Sequence, residues 1–303
     1  MSARFGSVVT AMVTPFDDKG ALHLDAARDL ARWLVANGNE GLVVTGTTGE
    51  APVLSDDEKL SLWAAVAEAV TVPVVAGAGS NDTAHSVHLT REASKLGVAG
   101  ILAVCPYYNR PSQAGIEGHL RAIAAATTLP VIVYDIPVRT GRKIATATLL
   151  RLAREVGNVV ALKDAAGNPG ETAAVISSAP DGFEVYSGDD SMTLPLLAVG
   201  AVGVVGVATA WSGSDHQEMI ALFGKGDLEG ARLVNARLLE SFAFETGDEA
   251  PNPVPTKAML RTLGVRVGQC RLPMGDAPDW VEPRAREVWA NLQRWRASFP
   301  GRP

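Results

Sequence analysis

The chain has only two cysteines, Cys105 and Cys270, far apart in its 303 residues. That excludes a disulfide framework and a paired thiolate metal motif. Its histidines, at 23, 85, 88, 119 and 216, show no metal-ligand spacing. His85 and His88 have no third ligand nearby and are expected on a helix surface. No run of about 18 apolar residues is present, so no bilayer-spanning helix is expected. Basic runs are also missing, and the formal net charge is −6. Nucleic acid and anionic membrane surfaces are therefore not expected as partners. The first turn, VTPFDDKG, has no dinucleotide glycine fingerprint, and the phosphate-loop spacing G-x-x-x-x-G-K-[ST] is absent. The opening stretch, MSARFGSVVTAMVTPF, lacks the length and flanks of a signal peptide, so the expected location is the cytoplasm. With neither a metal nor a nucleotide motif, no cofactor is expected and the chemistry falls to the side chains.

What is present is ordinary globular composition, 47% hydrophobic and 20% charged, with 30 Gly and 18 Pro. Short apolar runs recur at 8–12, 41–44, 73–76, 100–104, 131–134, 159–163, 184–187 and 203–206. Each run gives way to a Gly, Pro, Ser, Asn or Asp cluster, and most then lead into a helix-like segment. One such segment, DDEKLSLWAAVAEAV, is preceded by Ser55, with Glu58 three residues later, as in a capping box. Strand then helix, repeated eight times, predicts a parallel (β/α)8 barrel. An open doubly wound sheet is the alternative, and it would normally carry the missing fingerprint. After about residue 225 the strand pattern stops and helical segments follow. The expected organisation is a catalytic barrel over 1–225 and a small C-terminal helical appendage over 226–303.

Barrel active sites lie at the C-terminal ends of the strands. There the sequence places TGTTGE (45–50), CPYYNRPSQAG (105–115), YDIPVRTG (134–141), Lys163 and SGDD (187–190). Lys163 closes the run VVALK. It is either an interior lysine kept charged by Asp164 or another carboxylate, or an amine whose pKa burial lowers for attack on a carbonyl. Tyr134 ends the preceding strand and would stand about 5 Å from Lys163 across the sheet. A phenol there can carry protons during imine formation, although rim tyrosines are often only hydrogen-bonded to backbone. The glycines and threonines of TGTTGE can cradle a carboxylate or simply make a tight turn. Arg139 suits a substrate carboxylate or a solvated rim. SGDD reads as a turn and helix cap with no catalytic part.

Together GTTGE, PYYNRPSQAG, YDIPVRTG, the strand-ending lysine, SGDD and NPVPTK resemble the dihydrodipicolinate synthase (4-hydroxy-tetrahydrodipicolinate synthase) family. That family lies within the N-acetylneuraminate lyase superfamily of class I aldolase-like barrels. The resemblance runs from VTAMVTPF to CRLPMGD. It implies a lyase of the diaminopimelate and lysine pathway that condenses pyruvate with L-aspartate 4-semialdehyde through a Schiff base on Lys163. It further implies Tyr134 as proton donor and acceptor, Thr47 as a relay partner, and Tyr108 as the tyrosine inserted by a neighbouring subunit. Thr48 would bind the pyruvate carboxylate and Arg139 the aldehyde's carboxylate, with Gly188 and Val205 lining the pyruvate end. A homotetramer built as a dimer of dimers is the implied assembly.

One departure from the family pattern bears on regulation. Feedback-inhibited members use a glutamate four residues after an asparagine, but here Asn81 is followed by His85. Asp56 and Lys59 stand where some members carry histidines. Weak or absent inhibition by lysine is therefore expected. A lyase for longer sugar acids is the rival within the superfamily, and Arg139 argues against it because an aliphatic residue is typical there. A non-catalytic relative is the rival outside it, and would be expected to have lost Lys163 or Tyr134.

Overall fold

The computed structural model describes residues 3–298. Eight parallel strands close into a barrel in chain order: β1 (Val8–Ala11), β2 (Gly41–Val44), β3 (Val74–Gly77), β4 (Gly100–Val104), β5 (Val131–Asp135), β6 (Val159–Asp164), β7 (Glu184–Ser187) and β8 (Gly203–Gly206). The ring closes where β8 pairs with β1, Val204 opposite Val8. The expected (β/α)8 barrel is thus the observed fold, and the sequence runs fall on these strands to within a residue. Helices wrap the outside: α1 (Leu24–Ala36), α2 (Asp56–Ala69), α3 (Thr83–Ala93), α4 (Gln113–Ala125), α5 (Pro137–Thr140), α6 (Thr146–Glu155), α7 (Pro169–Ser178), α8 (Thr193–Ala198) and α9 (Thr209–Gly224). The C-terminal part adds α10 (Leu228–Glu245), α11 (Val254–Thr262) and α12 (Val281–Ser298). Of the expected appendage, residues 299–303 lie outside the described residues.

The strands read as unbroken apolar runs because both faces are covered. Val9, Val43, Val75, Leu102, Ile132, Tyr134, Ala161, Tyr186 and Val205 pack inside the barrel. Val74, Ile101, Val131, Val133, Leu162 and Val185 pack outward, in one cluster with the helices. That outer cluster continues into Leu238, Phe242, Met259 and Val288 of the C-terminal helices, so barrel and appendage share a core. α2 starts with the expected capping box: the Glu58 N–H donates to Ser55 Oγ at 3.2 Å, and the Ser55 N–H to Glu58 Oε2 at 2.9 Å.

Strand alternation decides where Lys163 points. Successive side chains face opposite sides, so with Ala161 inward, Lys163 is inward too, at the end of the strand. Asp164 takes the other face, where the Thr172 hydroxyl donates to it at 2.6 Å. The carboxylate next in sequence is therefore turned away from the amine.

Candidate active site

β5 and β6 pair with Tyr134 opposite Lys163. The Lys163 Nζ sits 4.2 Å from the Tyr134 ring centroid, and both side chains are buried. Lys163 is only 5% exposed, and burial lowers its pKa from 10.5 to about 8. The negative charge of Asp190 is the chief pull opposing that fall, and Arg139 adds slightly to it. At about pH 7 an ordinary lysine is roughly 0.03% neutral, whereas one titrating at about 8 is roughly 9% neutral. Burial thus supplies some 300-fold more nucleophilic amine. Burial also raises the Tyr134 phenol, which the Arg139 charge and a hydrogen bond with Thr47 partly offset, so the phenol keeps its proton at neutral pH.

The room around the amine is shaped by the backbone. The Gly188 N–H donates to the Asp164 carbonyl at 2.7 Å. A Cβ on Gly188 would stand 3.0 Å from Lys163 Cγ, so the glycine leaves space for the lysine stem. In the TGTTGE turn, Thr45 adopts φ +58° and Trp63 Nε1 donates to its hydroxyl at 2.8 Å. Gly77 makes the close approach possible, since a Cβ there would meet the Thr45 carbonyl oxygen at 2.4 Å.

Two cavities with shared walls lie at the barrel mouth, and the inner one reaches the amine. The inner one, about 170 Å³, is lined by Thr47, Thr48, Tyr134, Lys163, Gly188 and Glu245, among others. The outer one, about 310 Å³, shares Thr47, Tyr134 and Arg139 and reaches Tyr107 and Tyr108. The fold thus gathers Lys163, Tyr134, Thr47, Thr48, Arg139 and Gly188 around one cleft. Tyr108 sits at its rim, 89% exposed, with φ +71°. Val205 packs in the barrel interior with Tyr134 and Tyr186, and Val207, two residues on, lines the cavity.

Three residues of the cleft gave no local signal. Asp190, read as part of a cap, is buried beside the lysine; only Asp189 caps, accepting from the Ser191 N–H at 2.9 Å. Glu245 ends α10 and reaches the inner cavity from the appendage. Asn252 donates from Nδ2 to Thr48 Oγ1 at 2.9 Å and accepts from the Thr256 hydroxyl at 2.9 Å. With its oxygen accepting that bond, the Thr48 hydroxyl has its proton free to donate elsewhere. A second tether joins the two motifs: Lys257 of NPVPTK pairs with Glu50 of TGTTGE at 2.6 Å, fully buried.

A buried, partly neutral amine at the C-terminal mouth of a closed barrel, with a phenol beside it, is the arrangement of a (β/α)8 barrel enzyme acting on small molecules. Comparison with known proteins narrows that class. Residues 4–288 match the Dihydrodipicolinate synthetase family. The chain is 50% identical over 275 residues to a 4-hydroxy-tetrahydrodipicolinate synthase of Moorella thermoacetica, covering 89% of this chain and 92% of that one. It is 49% identical over 297 residues to the protein of that name from Desulforudis audaxviator, covering 97% and 99%. A crystal structure of dihydrodipicolinate synthase from Bacillus anthracis superposes with a TM-score of 0.91 at 41% identity, covering 97% of this chain and 99% of that one. One of DHDPS from Cyanidioschyzon merolae with lysine bound gives 0.93 at 40% identity, covering 96% and 99%. The chain belongs to the dihydrodipicolinate synthetase family.

Proposed function

We propose that this protein is a lyase that condenses pyruvate with L-aspartate 4-semialdehyde to give 4-hydroxy-tetrahydrodipicolinate, in lysine and diaminopimelate biosynthesis. The observation that carries the reading is the buried Lys163 amine, titrating at about 8 and facing a cavity sized for a small keto acid. The neutral amine attacks the pyruvate ketone, and the carbinolamine loses water to give an iminium. That cation is an electron sink, so a methyl proton leaves and an enamine forms. The enamine carbon attacks the aldehyde carbon, whose oxygen takes up a proton. The substrate's own amine then adds to the imine carbon and expels Lys163, closing the ring.

In this scheme Tyr134 passes protons between the reacting groups, with Thr47 linking it to the cleft. Thr48 holds the pyruvate carboxylate and Arg139 that of the aldehyde, while the backbone at Gly188 and Val205 shapes the pyruvate end. Tyr108 completes the relay of a neighbouring subunit. Its exposure in a left-handed backbone conformation supports that role, because an exposed and strained aromatic needs a reason to persist. A homotetramer assembled as a dimer of dimers in the cytoplasm follows from the same reading. So does a division of labour in which residues 1–225 hold the reacting groups and the helices from 226 onward cap the barrel. No described helix is long and apolar enough to cross a membrane.

Pyruvate consumption against aspartate semialdehyde, N-acetylmannosamine and glyceraldehyde, with Lys163→Ala as control, tests the assignment. Lysine-dependent turnover with aspartate semialdehyde alone is expected; turnover with a sugar would replace the substrate assignment. Weak inhibition by lysine is proposed for the same protein. His85 Nε2 lies 2.8 Å from an Asp56 carboxylate oxygen, so the position offers an ammonium ligand a histidine already engaged. Strong inhibition at or below about millimolar lysine would overturn that reading.

A further inference from the structure

We propose that Glu245 is a positioning residue for Lys163: a neutral carboxylic acid whose proton is held against Asp190, so that the two acids present one negative charge to the amine and to the iminium it forms. The inference rests on Lys163 being the imine-forming amine. Glu245 comes from α10, outside the barrel's strand-and-helix repeat, yet it is 4% exposed and Asp190 1%. No described group donates to Glu245 Oε2 or to Asp190 Oδ1. Both carboxyls nevertheless line the inner cavity beside Lys163, and interaction with Asp190 is among the causes that raise the Glu245 pKa. Two carboxylates hold only lone pairs, so their approach is repulsive unless one of them carries a proton.

The surroundings favour Glu245 as the proton's home. Burial is the chief cause pushing its pKa well above the usual carboxylate range, and the charges of Asp190 and Asp189 add to it. The Ala208 backbone N–H offsets that rise only in part. Asp190 has more fixed support, since the Val207 N–H donates to its Oδ2 at 2.7 Å. From α9, His216 places Nε2 3.5 Å from Asp190 Oδ1, but its Nδ1 faces the Ser212 carbonyl at 2.9 Å and so carries the hydrogen, which leaves Nε2 of the neutral ring without a proton to donate. Gly206 makes room for the carboxyl, because a Cβ there would stand 2.4 Å from Asp190 Oδ1.

Charge balance at the amine gives the pair its purpose. Asp190 is the foremost group whose charge raises the Lys163 pKa, and Glu245 would add to it only if ionised, against burial and Arg139, which lower it. A second full negative charge beside the amine would raise its pKa further and shrink its neutral fraction. No negative charge at all would leave the iminium a buried, unpaired cation. One shared proton leaves a single counter-charge, fixed in place by the Glu245 O–H.

Two measurements on the full chain test this. Infrared difference spectra of substrate-free protein near neutral pH should show the C=O stretch of a protonated carboxyl, lost in Glu245→Gln. The pH dependence of borohydride trapping of pyruvate should then be compared across variants. Glu245→Gln keeps a neutral donor and should keep the wild-type titration midpoint. Asp190→Asn should lower the midpoint by about one pH unit or more. Glu245→Leu strips Asp190 of its donor and should slow trapping on the order of tenfold. Absence of the protonated-carboxyl band overturns the proposal, as does a Glu245→Gln midpoint that falls like that of Asp190→Asn. Wild-type trapping in Glu245→Leu also overturns it; should that variant fail to fold, the spectrum and the glutamine variant still decide. If the band behaves as expected but the wild-type protein traps no pyruvate, the imine reading fails and Glu245's role toward Lys163 falls with it, while the proton-sharing pair stands.

Discussion

Replacing Lys163 by methionine should make the protein more stable near neutral pH while abolishing imine formation. Burial holds the Lys163 pKa down from 10.5 to about 8, and that net position already contains the opposing pull of the neighbouring negative charge, chiefly Asp190. Each pH unit between the folded and unfolded pKa is worth about 1.4 kcal/mol. Keeping a protonated Lys163 in the fold at neutral pH therefore costs on the order of 3 kcal/mol. Methionine fills a similar unbranched volume without a charge, so a gain of about 2–3 kcal/mol is expected. The pH dependence is the sharper check. Because the folded pKa lies below the unfolded one, the unfolded chain binds more protons between about 8 and 10.5. Wild-type stability therefore rises with pH across that window through this group, and the methionine variant lacks the rise. The gap between the two proteins should be constant below about 8 and close as pH approaches 10.5. Urea unfolding at neutral pH and at about pH 9.5, followed by tryptophan fluorescence, measures it. A methionine variant no more stable than wild type at neutral pH would refute the account. So would a gap that does not shrink as pH rises.

Other perturbations separate the remaining parts of the cleft. Arg139→Ala should raise KM for aspartate semialdehyde by roughly ten- to a hundredfold and leave the rate of pyruvate trapping within about twofold of wild type; an unchanged response to the aldehyde would undo the assignment. Asn252→Ala removes the donor to Thr48, so it should weaken pyruvate binding by about 1–2 kcal/mol, seen as a higher pyruvate KM. An unaltered KM in a folded variant would show that Thr48 needs no such support. Gly188→Ala puts a Cβ 3.0 Å from Lys163 Cγ and should slow borohydride trapping on the order of tenfold, with only a modest loss in melting temperature. Trapping at the wild-type rate would mean the lysine stem is not confined there.

Much of the site was legible because strand geometry is local. Lys163 and Tyr134 each end an apolar run, and neighbouring parallel strands must bring such ends together. The Ser55–Glu58 capping box was legible for the same reason, since both partners lie within one helical turn. The carboxylate beside the lysine was harder. Asp164 is adjacent in sequence, yet the two-residue alternation sends it to the opposite face, where Thr172 holds it. The side chain of Val205 packs in the barrel interior, and Val207, two residues on, lines the cavity.

By itself the sequence determined the eight strands, their closure into a barrel, and the polar groups that each strand delivers to the mouth. Those follow from hydrophobic runs and turn residues acting over a few positions. Only the tertiary structure decided that Glu245, Asn252 and Lys257 reach back from the C-terminal part to Asp190, Thr48 and Glu50. These contacts join segments far apart in the chain, and no spacing marks them. What brings them together is the shared apolar core that seats the appendage on the barrel, and burial then leaves each polar group no solvent and only the partner it meets there.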